Sequence, residues 1–488
     1  MSGGRAVRAG TPQEIAERAL AASRADGCAV IVDESDGSHL RWAGNTVTAA
    51  GHVRDHRVTV IALADGRGGT ATGVVTRHGV DGPNGTGGAD GDVLTGLVRA
   101  AEYAARQGGS AEDACPLPPA GGGQGSQDWS APPATPPAEG LGILADGLRT
   151  AIGQARAEGR LLYGYAEHGL LSSYLATTSG LRLCHVQPTG LVDLTARAED
   201  GDATSWTGMS LSDRAPDEPP RADLAAMDLR LRTRLGWARR RADLRPGRYE
   251  VLLSPSCVAD LMQHLYDAAG AKDALDGRSP FSGDGGAHGG GLRIGERVAP
   301  AGLTLSSDPG AAGLECAPFV IARSSGDTSS VFDNGLPLHP TNWIADGVLT
   351  ALVQTRHTAR LTGLPATPRV DNLRLDGGPG GRTLAEMVAG TERGLLLTSL
   401  WYLREVDPRS LTLTGLTRDG VYLVENGEIV GATRDFRFNE SPLGVLQRTV
   451  ETGRTERALP REWDDGLTRA AMPPLRVGDF TVSAVSGR

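Results

Sequence analysis

The chain has 488 residues, 39% hydrophobic but only 4% aromatic, a length and composition that point to two packed domains. A net charge of −9 argues against a general nucleic-acid binder, which needs a basic face. The five cysteines (Cys28, Cys115, Cys184, Cys257, Cys316) are odd in number, widely spaced and without a C-x-x-C, which fits free thiols in a reducing cytoplasm better than a disulfide framework.

The N-terminus "MSGGRAVRAGTPQEIAERAL" lacks the apolar core of a signal peptide, and no later run approaches ~20 apolar residues, so a soluble cytoplasmic protein is expected. "TPQEIAERALAASRADG" predicts a helix, with Thr11 as cap, Pro12 in the first turn and Glu14 completing a capping box. "CAVIVDES", "HLRWAGNTVTAA", "RVTVIALADG" and "GTATGVVT" read as four strands between Gly/Asp turns. A helix over "VLTGLVRAAEYAARQG" follows. The tract from Gly108 to Gly140 is too rich in Gly and Pro to pack and is expected to be a flexible, solvent-exposed surface loop.

"LGILADGLRTAIGQARAEG" has helical spacing, and "LLYGYAEHGL", "SSYLATTSGLRLCHVQPTG" and "LVDLTARAED" read as strands. An acidic, Pro-rich connector, "SDRAPDEPPRAD", precedes one more helix. Its basic run "RLRTRLGWARRR", Arg230 to Arg241, reads as a solvated face. The fold class expected is α+β: an N-terminal α/β sandwich-like domain over 1–245, then a β-rich C-terminal domain over 246–488. The second half holds short strands in "RYEVLLSP", "GLTLSSDP", "LLLTSLWYLREV" and "SLTLTGLTRDGVYLVENGEIVG". "DGVYLVENGEIVG" is its strongest hairpin signal.

Common catalytic signatures are absent: no G-x-S-x-G elbow, no Walker A loop and no G-x-G-x-x-G after a strand. "DGGPGGRTLAEM" precedes a helix but lacks the Lys-Ser/Thr ending of a phosphate loop. "NGT" at Asn84 is a glycosylation sequon only in a secreted protein. His52 and His56 flank a strand-like region where their spacing is not expected to share a face. His185 reads as a sheet residue. One helix collects Cys257, Asp260, His264 and Asp267 on one side. Residues seven apart stand ~10.5 Å apart along a helix, too far for a Cys257–His264 proton transfer. An Asp260–His264 surface ion pair is the plainer expectation.

"RYEVLLSPSCVADLMQHLYDAAG" and the long run from "LRLDGGPGGRTLAEM" to "FRFNESPLGVL" carry a family likeness. The chain resembles the TldD/PmbA (TldE) family of peptidase subunits, and most of all the TldE (PmbA) type. The resemblance implies that TldD-type subunits hold zinc with H-E-x-x-x-H on this helix and a later Cys. Laid on this chain, that motif falls on Gln263, His264 and Ala268, and no cysteine follows Cys316. Neither glutamine nor alanine matches a zinc ligand of this type. The resemblance therefore implies a subunit with no catalytic residues and no metal of its own, paired in a heterodimer with a TldD-like partner that carries the zinc.

What the family further implies is an extended, unfolded peptide as substrate, including the leader of a ribosomally made peptide precursor. No role for nucleic acid or membrane is expected. Candidate contacts for partner or peptide are Trp401, Tyr402, Arg418 and Asn439. Two other readings stand beside this one: a partner-independent scaffold or peptide-binding homodimer, and a self-sufficient hydrolase.

Overall fold

A computed structural model of the chain describes residues 10–66, 69–79, 91–121, 125–136, 140–200, 203–212, 223–283, 291–418, 420–462 and 467–485. Asn84, most of the connector before residue 223 and the Gly-rich stretch 284–290 lie outside the described residues. The N-terminal half runs α1 (Pro12–Ala22), β1 (Gly27–Ala43), β2 (Thr46–Gly66), β3 (Gly69–His78), α2 (Gly91–Gln107) and α3 (Gly140–Ala157). It continues with β4 (Arg160–Thr177), β5 (Arg182–Asp200), β6 (Ala203–Ser212) and α4 (Leu224–Ala238).

The C-terminal half opens with β7 (Gly247–Leu253), α5 (Pro255–Asp267), α6 (Ala271–Leu275), β8 (Thr304–Ser307), β9 (Thr341–Ala345) and β10 (Val348–Leu349). Next come α7 (Arg356–Thr362), β11 (Leu373–Asp376), α8 (Leu384–Ala389), β12 (Arg393–Leu397), β13 (Leu400–Asp407) and β14 (Thr412–Thr417). β15 (Val421–Glu425), β16 (Glu428–Ala432), β17 (Phe436–Glu440), α9 (Pro442–Gln447) and β18 (Thr449–Thr452) follow. It closes with β19 (Glu456–Ala458), β20 (Ala470–Met472) and β21 (Leu475–Val485). The molecule is therefore α+β.

Among the described residues the N-terminal strands form one sheet in the order β3-β2-β1-β4-β5-β6, antiparallel throughout. β1 and β2 are far longer than the four short strands expected. Gly37, read as a break, lies opposite Gly169, where a Cβ would come 2.6 Å from the Asp36 carbonyl. Glycine there lets two backbones approach and does not turn the chain. The turn itself is Gly44-Asn45, with φ of 57° and 64°.

One face of this sheet carries two separate helical layers. α1 and α2 cover Val30, Val32, Val58 and Val60, while α3 and α4 cover Leu40, Trp42, Leu162 and Leu194. The strip between them is polar. Because β2 runs unbroken, His52 and His56 share a face after all, correcting the expectation, since even spacing along a strand returns to the same side. They lie 3.1 Å from Asp36 and Glu34 respectively. In α4 the basic run is solvated except at Arg234, which turns inward and donates to the Gly208 carbonyl (3.0 Å).

The opposite face meets the C-terminal half. Ala29, Ile31, Ile61 and Leu175 pack on Phe319, Val331 and Phe332. At the seam Asp33, 3% exposed, accepts two hydrogen bonds from the Arg323 guanidinium (2.8 and 2.5 Å), one from Arg57 (2.9 Å) and one from the Ser173 hydroxyl (2.6 Å). Burial alone would raise this carboxyl, but Arg323, Ser173 and Arg57 outweigh it and hold the pKa below the usual range.

The described parts of the Gly/Pro tract also pack here, correcting the expected solvent-exposed loop. Leu117 and Cys115 lie against the Phe319–Phe332 cluster at the seam, while Trp129 packs on the other, helix-covered face of the sheet, edge-on to Tyr174 at 5.8 Å. The carbonyls of Ala114, Pro116 and Pro118 accept from Arg360, Arg356 and Ser179. A Pro-rich segment needs few apolar residues of its own when another surface supplies the donors and the core.

In the C-terminal half one sheet runs β13-β14-β17-β21-β7-β12-β15-β16, with β18 beside β21, and a second runs β10-β9-β8-β11-β20-β19. α5 lies in the main core, among Leu253, Leu305, Trp343, Leu397 and Met472. The segment "LLLTSLWYLREV" is two strands, β12 and β13, not one. The Asn-Gly hairpin forms as expected between β15 and β16, with Asn426 and Gly427 both at positive φ (51° and 80°).

Replacing Asp33 with Ala should lower unfolding free energy by about 2–3 kcal/mol. That is somewhat less than the roughly 3–5 expected for breaking a fully buried pair, because Arg323 keeps partial exposure. Urea denaturation measures it; a loss within noise would mean that the seam does not depend on this clamp.

Candidate functional site

α5 is specified locally. Ser254 caps it by accepting from the Cys257 N–H (3.4 Å), Pro255 takes the first helical position, and the helix ends at Asp267 with Ala268 as C-cap. It is a regular α-helix, so Gln263 and Ala268, five residues apart, point ~140° away from each other. Nearly its whole circumference is buried, from Cys257 through Gln263 to Tyr266.

The polar side of α5 is crossed by the segment 459–462, which arrives from about 200 residues further along the chain. Ser256 donates to the Leu459 carbonyl (2.6 Å), and Asp260 Oδ1 accepts the N–H groups of Arg461 (2.8 Å) and Glu462 (3.2 Å). Glu462 then reaches β13, accepting the Leu403 N–H (2.6 Å) and pairing with Arg404 (2.9 Å). Asp260 is thus a buried backbone anchor and not the surface partner of His264. Nothing near Asp260 in sequence announces the strap, since both of its donors are main-chain groups.

Burial pushes the Asp260 carboxyl up to about 8, against the pull of those two N–H groups, and it pushes the His264 imidazole down. Three buried atoms on this face have no hydrogen-bond partner: Asp260 Oδ2, Gln263 Oε1 and His264 Nε2. Asp267 turns away to Arg369 (2.7 Å). Cys257 is buried, its Sγ 3.4 Å from the Leu397 carbonyl, and burial pushes the thiol up to about 12, the opposite of an activated nucleophile.

This donor set does not fit a zinc ion. Ala268 offers no donor, Gln263 offers a neutral amide, and Asp260 has one oxygen committed to the strap while carrying a proton at neutral pH. Among the described residues no three His, Cys, Asp or Glu side chains converge as metal ligands.

Trp401 and Tyr402 sit on β13, an edge strand of the large sheet. The Arg418 guanidinium stacks over the Trp401 ring at 4.3 Å, and Arg404 stacks over Tyr402 at 4.3 Å. Tyr402 has φ of 54° at a register break between Trp401 and Arg404, and its ring is 52% exposed. Asn439 is exposed on β17, in the cross-strand row Arg404–Thr414–Asn439. All four candidates therefore share one end of this sheet, with Asn439 apart from the stacked pairs. Arg418 also lines a cleft of about 570 Å³ between the two halves, with Trp206 and Tyr163 opposite.

The helix over Leu384–Ala389 closes its own N-terminus with a Thr383–Glu386 capping box, so the Gly-rich run before it presents no open anion cradle. No helix among the described residues is long and apolar enough to cross a membrane.

Residues 246–484 match the family model described as PmbA/TldA metallopeptidase C-terminal domain. A search of curated proteins finds no match. Among solved structures the chain is similar to TldE from Thermococcus kodakarensis (TM-score 0.74, 15% identity, covering 96% of this chain and 99% of that one). It is similar as well to a Thermotoga maritima protein described as a proposed modulator of a DNA gyrase (TM-score 0.72, 17% identity, 96% and 100% covered). A Bacteroides thetaiotaomicron protein of the same description follows (TM-score 0.70, 15% identity, 97% and 98% covered). At such identities these likenesses establish the fold.

The raised pKa of Asp260 sets a pH dependence. A folded-state value of about 8 against ~3.9 unfolded means that the folded chain holds this proton more tightly. The contribution is full below pH ~4 and is lost as pH rises toward 8, at no more than about 1.4 kcal/mol per pH unit. Asp260→Asn, which keeps an oxygen for the strap and cannot ionise, should flatten that decline. Urea unfolding of both proteins at pH 5, 7 and 9 tests it, and parallel profiles would contradict it.

Proposed function

We propose, for a chain whose C-terminal half belongs to the PmbA/TldD metallopeptidase family, that it is the non-catalytic, TldE-like subunit of a heterodimeric zinc peptidase. The observation that carries this reading is α5. The helix keeps its place in the core, yet the positions where a zinc ligand pair would stand hold Gln263 and Ala268 on opposed sides. The zinc and the water-activating carboxylate then belong to a TldD-like partner.

This chain's part is to complete the enclosure around an extended peptide and to steady the partner. An unfolded peptide offers main-chain groups, and β13, an edge strand among the described residues, has its Leu403 N–H taken by Glu462 but carries the half-exposed Tyr402 and the exposed Val406 on either side of that point. Such pairing is tolerant of sequence, which suits the clearance of unfolded chains or the trimming of a leader from a peptide precursor. Five cysteines without a disulfide accord with work in the cytoplasm. A self-sufficient hydrolase draws no support from Asp260, which is bound to the strap, or from Cys257, whose thiol is held protonated.

Reconstitution tests the proposal. The chain alone should cleave no unfolded peptide with or without added zinc, and mixing it with an H-E-x-x-x-H subunit from the same genome should produce zinc-dependent cleavage. The variant Gln263→His/His264→Glu/Ala268→His should stay inactive alone, because a regular helix holds the two imidazoles apart. A partner that reaches its full rate without this chain, or zinc-dependent cleavage by the triple variant alone, would refute the assignment.

A further inference from the structure

A second cavity, of about 220 Å³, lies at the seam between the N-terminal sheet and the C-terminal half. Ser173, His185 and Gln187 line it from the sheet, with Ser330, Arg369 and Asp371 facing them and Arg469 among them. Most charges around it are already matched. Arg323 is spent on Asp33, Arg369 on Asp267 (2.7 Å), and Asp333 on Arg356 (2.7 Å). Burial pushes the His185 imidazole down, so the ring is neutral at pH 7 and hydrogen-bonds to Gln187 (2.9 Å).

Arg469 is the exception. Its Nε is buried without a partner, and its one hydrogen bond is a long contact (3.4 Å) to the Asp371 carbonyl. Among the described residues no carboxylate lies at salt-bridge distance from it, and the Asp371 carboxylate, exposed at the rim, attracts it only from further off. A guanidinium half withdrawn from water with no counter-charge in contact is destabilising. A fold that keeps one at the wall of a cavity has a use for an anion there.

We propose that this cavity binds a small carboxylate monoanion through Arg469, while the Ser173 and Ser330 hydroxyls on its wall, their protons given to Asp33 and Asp113, are left as acceptors for an N–H or O–H elsewhere on the ligand. One unspent cation matches one negative charge. The planar fork of arginine matches a carboxylate in two parallel hydrogen bonds. The volume lies below the ~300–1,000 Å³ of ordinary drug-sized pockets, so the ligand is a free small acid or the terminal carboxylate of a peptide. This site meets α5 only through Arg369, which holds Asp267 at its C-terminal end, and does not rest on the peptidase-subunit role.

Calorimetric titration of the full chain with four probes tests it: N-acetylalanine, N-acetyl-trialanine, the C-terminal amide of N-acetyl-trialanine, and inorganic phosphate. At least one of the two acids should bind saturably and the amide should not. Tighter binding of N-acetylalanine would identify a free acid as the ligand, and tighter binding of the tripeptide a chain end. Arg469→Met should weaken the acid by about tenfold or more, without lowering the thermal midpoint of the unliganded protein, because it removes an unmatched buried charge. Arg469→Lys, which keeps charge without the fork, should weaken it as well and serves if the Met variant does not fold. No saturable binding by either acid, equal binding of acid and amide, preference for phosphate, or undiminished affinity in the folded variants would overturn the proposal.

Discussion

The two halves of this molecule are joined by a buried carboxylate. Asp33 stands in the middle of a sheet strand, where a charge alone would be prohibitive, and it is kept by four hydrogen bonds from three side chains. One of those partners, Arg323, belongs to the other half of the chain, 290 positions away. The apolar cluster around Phe319 and Phe332 lies on the same face. Hydrophobic burial holds the halves together without fixing their register, whereas a two-pronged guanidinium–carboxylate contact accepts one geometry. The seam cavities inherit their shape from that constraint.

Around the clamp the Gly/Pro tract works as mortar. Asp113 accepts from Ser325 and Ser330, and the carbonyls of Ala114 and Pro116 take arginine donors from α7. Proline has no N–H to satisfy, so each proline of the segment brings only an acceptor to a seam already rich in arginine. Its composition excludes a core of its own but does not exclude a place in someone else's.

What was legible in the sequence was local. The Thr11–Glu14 capping box, the Ser254-Pro255 start of α5 and the Asn426-Gly427 hairpin each depend on residues within a few positions of one another. Strand length was misread because a glycine opposite another glycine looks, in one dimension, like a glycine in a turn. The common face of His52 and His56 is hidden in the same way by Gly51, which lies mid-strand opposite His39 and looks like a break. The α5 site divides along the same line: its missing ligands were readable from Gln263 and Ala268, but the anchoring of Asp260 was not. A carboxylate whose partners are the main-chain N–H groups of residues 461 and 462 leaves no trace in side-chain identity.

The position of β21 bears on how the protein is made. This strand, Leu475–Val485, lies between β17 and β7 in the interior of the largest sheet, and the strap that closes over α5, residues 459–462, precedes it with β20 between them. As the chain leaves the ribosome, β7 and α5 emerge more than 200 residues before the segments that complete them. Until then the sheet has two unfinished inner edges, and the apolar side chains of β7 lack one of their two neighbouring strands. Such edges invite pairing with other chains. The nascent C-terminal half would stay in a state that chaperones recognise until residues 475–485 emerge, and synthesis of β21, not hydrophobic collapse, would time its closure.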